Sequence, residues 1–360
     1  MMKATQQLHN LGQRLWLDNI TRGLLTSGTL QRYINEFSLT GLTSNPTIFD
    51  QAIKSADFYD DAIRRKAAEG KSGEALFLEL ELEDLTQAAD LFRPIHDATG
   101  GADGWVSLEL SPLLADDTAN SIKIAKQLHD RAQRPNIFIK IPGTSAGIPA
   151  IEECIFKGVP INVTLLFSRE QYIAASLAYM RGIERRIEAG LEPRVDSVAS
   201  IFVSRWDVAV KDKVPADLRN RLGIAIAKRT YTAYRELLDS PRSREIVEAG
   251  GRPQRLLWAS TGTKDPEASD TLYIEALVAP NTINTMPEKT LLAFADHGRV
   301  GAELPVGTGE ADKVLDEFVK VGVNYADLAG KLQHEGAQAF VKSWNDLMAS
   351  IDEKATGGSK

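Results

Sequence analysis

Eight short runs with a two-residue alternation, set between stretches with a helical period, constrain this chain more than any other feature. They are Arg14–Asp18, Leu39–Asn45, Trp105–Leu110, Ile137–Ile141, Pro160–Leu166, Asp196–Val203, Arg255–Ser260 and Asn281–Thr285, the last being the weakest. Successive side chains of a strand point to opposite faces, so each run reads as a strand. Ala119–His129, Arg169–Ala189 and Leu218–Leu238 are among the helix-period stretches between them. Strands alternating with helices indicate βα units, and eight units predict an α/β fold with a single closed (β/α)8 barrel. No Pro/Ser-rich linker or charge block divides the chain, so residues 1–352 read as one barrel domain with N- and C-terminal helices. Gln51–Gly101 is too long for one crossover and should hold several helices, one of them around Glu74–Leu80. Val314–Ile351 reads as a C-terminal helical extension, and 353–360, with Gly357-Gly358-Ser359, as a disordered tail.

Composition narrows the function classes. With 43% hydrophobic and 25% charged residues over 360 positions, the chain can bury a substantial core. A net charge of −7 argues against nucleic acid or an anionic membrane as partner. The single cysteine, Cys154, allows no internal disulfide and suits a reducing compartment. The N-terminus lacks an apolar signal core, and no run reaches the ~18 apolar residues of a membrane span, so a cytoplasmic location is expected. His9, His96, His129, His297 and His334 are scattered without metal-ligand spacing, and neither a Walker loop nor a strand-linked GxGxxG occurs. A metal site is not expected, no nucleotide cofactor is obvious, and Gly143–Gly147 reads as a strand-to-helix turn.

The fourth run carries the first chemical signal. Ile137, Ile139 and Ile141 alternate with Phe138 and Lys140, so both strand faces are apolar except at the lysine. Such a strand is covered on both sides, and an ammonium there loses hydration, which favours the neutral amine. A neutral lysine can attack a carbonyl to form a Schiff base. The competing reading is a strand-end lysine that snorkels to solvent.

Parity gathers further polar residues on the same side as Lys140. Residues two apart share a face, which groups Trp16 with Asp18, Ser107 with Glu109, and Phe138 with Lys140. Asn162 likewise goes with Thr164, and Ser200 with Phe202. The opposite faces are mainly aliphatic, as expected against helices. The polar set would then point into the barrel near the C-terminal strand ends, where barrel enzymes place their chemistry.

Trp16-Leu17-Asp18, Thr43-Ser44-Asn45-Pro46-Thr47-Ile48-Phe49, Ile139-Lys140-Ile141-Pro142-Gly143-Thr144 and Ile161-Asn162-Val163-Thr164-Leu165-Leu166-Phe167-Ser168 together resemble the transaldolase family. Trp258-Ala259-Ser260-Thr261-Gly262-Thr263-Lys264 and the C-terminal extension resemble its longer bacterial subfamily. The resemblance implies a Schiff-base enzyme of the non-oxidative pentose phosphate pathway. It would move a dihydroxyacetone unit from sedoheptulose 7-phosphate or fructose 6-phosphate to glyceraldehyde 3-phosphate or erythrose 4-phosphate. The partners would be small sugar phosphates, with the chain a monomer or homodimer.

By the same resemblance Lys140 forms the imine and Asp18 moves the C4 hydroxyl proton, with an N-cap of the helix opened by Asn19-Ile20-Thr21-Arg22 as the structural alternative for Asp18. Glu109 and Thr164 would hold a water for imine formation and hydrolysis, with a Glu109–Lys140 ion pair as the structural alternative. Asn45 and Asn162 would contact sugar hydroxyls, Ser200 the C1 end, and Phe202 would wall the pocket. Arg205 matches the family's phosphate arginine, with Ser260 and Lys264 as further contacts. The shorter family form uses arginine after the seventh strand, so Lys264 departs from its pattern. Two rival functions are a fructose-6-phosphate aldolase-like lyase and a non-catalytic sugar-phosphate binding module. Small aldolases of this superfamily are shorter and tend to carry Gln and Tyr where this chain has Glu109 and Phe202.

Overall fold

A computed structural model describes residues 2–356. The strands are β1 (Arg14–Asp18), β2 (Leu39–Thr43), β3 (Trp105–Glu109), β4 (Ile137–Pro142), β5 (Ile161–Leu166), β6 (Ser197–Phe202), β7 (Arg255–Ala259) and β8 (Ile283–Met286). Each pairs in parallel with its sequence neighbours, and β8 returns to β1 with Arg14 opposite Ile283 and Leu17 opposite Met286. The sheet is a closed (β/α)8 barrel, as the eight runs predicted.

Alternation builds two cores. Leu15, Leu17, Val106, Leu108, Ile139 and Ile141 join the large cluster shared with the surrounding helices. Trp16, Trp105, Phe138, Val198, Leu257 and Ile283, from the alternate positions, belong to a second cluster. Its aromatic members form a floor: Trp105 stacks on Phe138 with centroids 4.0 Å apart, and Trp16 meets Phe138 at 6.2 Å. Gly41 makes room for this floor, since a Cβ there would lie 2.5 Å from the Trp16 indole. Above the floor the barrel turns polar. Ser200 Oγ donates to Asn162 Oδ1 at 2.7 Å, and Asn162 Nδ2 donates to Ser107 Oγ at 3.1 Å.

Three helices fill the long β2–β3 connection: Pro46–Ser55, Asp60–Ala68 and Gly73–Ala98. The Gly143–Gly147 turn does lead from strand to helix. Gly147 begins the helix Gly147–Phe156, and a Cβ there would sit 1.8 Å from the Pro142 carbonyl oxygen. Two C-terminal helices follow β8 and its helix, Gly309–Lys320 and Tyr325–Ala355. The second packs against Pro46–Ser55 through Ser350 Oγ to Asp50 Oδ1 and Thr47 Oγ1 to Ser343 Oγ, both 2.8 Å. The expected disordered tail therefore starts too early: Glu353 to Ala355 complete the last helix, and Lys354 pairs with Asp60. Residues 357–360 lie outside the described residues. No helix among the described residues is long and apolar enough to cross a membrane.

Candidate active site

Parallel barrel strands all point their C-terminal ends to one mouth, and there lies a cavity of about 480 Å³. Asp18, Asn45, Lys140, Asn162 and Thr164 line it, as do Ser200, Phe202, Arg205, Ser260 and Lys264. Glu109, the remaining sequence-predicted residue, sits behind Lys140 and forms an ion pair with it through Oε2.

Lys140 is buried, with its ammonium donating to the Ser44 carbonyl at 2.6 Å. The Glu109–Lys140 ion pair expected as the structural alternative is present, and Glu109 and Ser44 offset the hydration that the lysine loses on burial. Glu109 is the carboxylate adjacent to the lysine nitrogen. Burial raises the Glu109 carboxyl above the ordinary carboxylate range, Lys140 opposes that rise, and Asp18 adds to it. Opposite Pro142 in the β4–β5 register, Thr164 has a buried hydroxyl with no hydrogen-bond partner among the described residues. Such a hydroxyl at a cavity wall is disposed to bind water or substrate.

Asp18 ends β1 at the mouth. Burial pushes its carboxyl up, countered first by the charge of Lys140 and then by hydrogen bonds from Thr43 and Asn45. Thr43 Oγ1 donates to Asp18 Oδ1 at 2.9 Å, and Asn45 Nδ2 lies 3.5 Å from the same oxygen. Asp18 caps no helix. The following helix, Arg22–Thr26, is capped by Thr21, whose side chain accepts from Leu24 N. Capping does occur at Asn45, where Oδ1 accepts from Ile48 N at 3.1 Å and leaves the amide nitrogen facing the site. Asn162 and Ser200 are tied to each other, which fixes their orientation below the cavity.

At the rim, Arg205 lies 5.3 Å from the Phe202 ring and 5.8 Å from Phe340. Burial lowers its proton affinity, with Asp18 opposing, and no carboxylate forms an ion pair with it among the described residues. A partly desolvated guanidinium without a counterion is suited to an incoming oxyanion. Ser260 adopts φ +56 directly after β7 and meets Ser204 Oγ at 2.9 Å, which brings a hydroxyl pair to the same side. Lys264 is exposed on the next loop.

Sequence reasoning missed Thr43, Glu288 and Phe340, which also line the cavity. Thr43 shares the inward parity of Gly41, so its position was readable. Phe340 comes from the last helix, and no local pattern announces that a distant helix will cover the mouth. Among the described residues, no group of three His, Cys, Asp or Glu side chains is gathered as for a metal ion.

Residues 15–351 match the Transaldolase/Fructose-6-phosphate aldolase family. The chain is 43% identical to a transaldolase of Thermobifida fusca, over 98% of this chain and 99% of that protein. It is 42% identical to a transaldolase of Saccharopolyspora erythraea, over 97% of each. A protein named transaldolase 2 from Streptomyces coelicolor is 41% identical, over 98% of this chain and 97% of its own length.

Proposed function

The chain belongs to the transaldolase/fructose-6-phosphate aldolase family, and on that premise we propose that it transfers a dihydroxyacetone unit between sugar phosphates through an imine at Lys140. The observation that carries this reading is the buried Lys140–Glu109 pair at the floor of a polar cavity, with Asp18 on its wall. Lys140 passes its proton to Glu109 and attacks the C2 ketone of the donor. Loss of water, aided by Glu109 and Thr164, gives the imine. Asp18 takes the C4 hydroxyl proton as the C3–C4 bond breaks, the imine nitrogen accepts the electron pair, and the shortened aldehyde phosphate departs, leaving the three-carbon unit on Lys140 as an enamine. The acceptor aldehyde then enters, carbon–carbon bonding reverses, Asp18 returns the proton, and water releases the product ketose.

Asn45, Asn162 and Ser200 hold the hydroxyls of the three-carbon unit, while Phe202 packs beside the imine. Arg205, with Ser260 and Lys264, takes the phosphate. Sedoheptulose 7-phosphate and fructose 6-phosphate are the donors, with glyceraldehyde 3-phosphate and erythrose 4-phosphate as acceptors. The full-length relatives carry transaldolase names, which supports transfer over simple cleavage. Glu109 and Phe202 support it too, since they stand where the small aldolases tend to have Gln and Tyr. We read the protein as cytoplasmic and as a monomer or homodimer, with neither nucleic acid nor membrane as partner.

The test is a coupled assay with fructose 6-phosphate, with and without erythrose 4-phosphate. Turnover should require the acceptor. Equal release of free dihydroxyacetone without any acceptor would identify an aldolase instead.

A further inference from the structure

Glu288 places a negative charge where a site for phosphorylated sugars has least need of one. It is the first residue of the helix Glu288–His297, directly after β8, and its side chain lines the cavity. Its carboxylate is held by two neutral donors, Tyr33 OH at 2.6 Å to Oε1 and Asn19 Nδ2 at 3.1 Å to Oε2. No lysine or arginine forms an ion pair with it among the described residues. The carboxylate is thus pinned at the rim with its charge uncancelled.

Strand order gives that charge a direction. Going round the mouth, Arg205 follows β6, Lys264 follows β7, Glu288 follows β8 and Asp18 ends β1. The rim is therefore cationic along β6–β7 and anionic along β8–β1. Interactions between fixed charges in a confined cavity are stronger than in bulk water, and a like charge at the wrong place is a means of rejecting ligands.

We propose that Glu288 is a specificity-determining residue that keeps anionic groups off the β8–β1 side of the mouth. Only a neutral hydroxyaldehyde end can then approach Asp18, and the substrate's anionic end is confined to the Arg205 side. The inference rests on the transfer reading above, and it adds a substrate class that the enzyme rejects: aldehydes with a carboxylate next to the reacting carbonyl. Tyr33 and Asn19 serve it as positioning residues that stop the carboxylate from swinging out to solvent.

Two acceptors of equal carbon number isolate the effect, neutral glycolaldehyde and anionic glyoxylate, each with fructose 6-phosphate as donor. The quantity read is the kcat/KM ratio of glyoxylate to glycolaldehyde, which a uniform loss of activity leaves unchanged. Glu288→Gln should raise that ratio by about tenfold relative to wild type, and at least fivefold, as expected on removing a like-charge contact. Glu288→Ala, which dispenses with the Tyr33 and Asn19 contacts, should shift it in the same direction and covers the case in which the glutamine variant folds poorly. A ratio changed by less than fivefold in the folded variants overturns the proposal, whatever happens to total activity. Failure of the wild type to transfer from fructose 6-phosphate to erythrose 4-phosphate is a separate result, and it would remove the transfer reading itself.

Discussion

Burial gives Asp18 two opposed consequences. Its carboxyl is raised above the ordinary aspartate range chiefly by desolvation. A group with a raised folded value favours folding in its protonated form, and that contribution is lost as pH rises through the folded value. Under the proposed mechanism Asp18 works ionised, and ionisation of this buried carboxyl costs folding stability. Asp18→Asn should melt at a higher temperature than wild type at neutral pH, while turnover falls by about 10²–10⁴-fold, the usual worth of a general acid–base group. Borohydride treatment of that variant with fructose 6-phosphate should trap the six-carbon sugar on Lys140, because cleavage is blocked after the imine forms. A variant that turns over normally would return Asp18 to a purely structural role. Below neutral pH the wild-type rate should decline at a higher pH than an exposed aspartate would give, which a kcat/KM profile records. Most of these side chains were legible in the sequence, because strand parity and short motifs are local. The Glu109–Lys140 ion pair could be offered only as one alternative for Glu109, since it depends on the register Glu109 to Lys140 between β3 and β4.

Among the elements, the helix Tyr325–Ala355 does the most that local sequence could not announce. Gln333 Nε2 donates to the carbonyls of Gly143 and Leu165, each at 3.0 Å, and so ties the helix to the turn after β4 and to the end of β5. Leu165 adopts φ +55 at an irregularity in the β5–β6 register, and its carbonyl is one of these two acceptors. Further along, Phe340 covers Arg205, and Trp344 packs edge-on against Phe77 at 5.3 Å. Helical periodicity and length made this element readable as a helix. Its place over the mouth was not readable, because the contacts join residues far apart in sequence. Phe340→Ala should let water reach the Arg205 guanidinium and remove a cation–π contact worth ~0.5–2 kcal/mol. The KM for fructose 6-phosphate should then rise by about two- to thirtyfold, with kcat little altered. An unchanged KM would show that the helix leaves the phosphate end untouched.

At the scale of the barrel, a buried ionic hub and the candidate active site occupy opposite ends. Arg14 opens β1, Arg255 opens β7, and Asp103 lies just before β3. Asp103 is buried and bridges both cations, 2.7 Å from Arg14 Nε and 2.8 Å from Arg255 Nη1. The two guanidiniums outweigh desolvation and hold its carboxyl below the ordinary range. Its stabilising contribution is therefore present above the unfolded aspartate value and disappears as pH falls through the lower folded value. Asp103→Ala should cost about 3 kcal/mol of unfolding free energy at neutral pH, because two arginines lose their shared partner. Stability of the variant should also vary less with pH in the acid range, while kcat stays near wild type. A large loss of kcat in the folded variant would contradict the separation of the two ends. That separation was only half legible. Eight alternating runs implied the closed barrel, and barrel geometry implied the functional end. The acidic hub at the other end gathers side chains from three strand starts, and no single segment carries its signature.

The central claim is that Lys140 forms an imine with the donor ketose. Borohydride reduction in the presence of fructose 6-phosphate, followed by peptide mass spectrometry, tests it most directly. The wild-type protein should lose activity and carry one three-carbon unit on Lys140, and Lys140→Arg should remain unlabelled and inactive because guanidinium cannot form the imine. Labelling at another lysine, or full inactivity without any adduct at Lys140, would contradict the account.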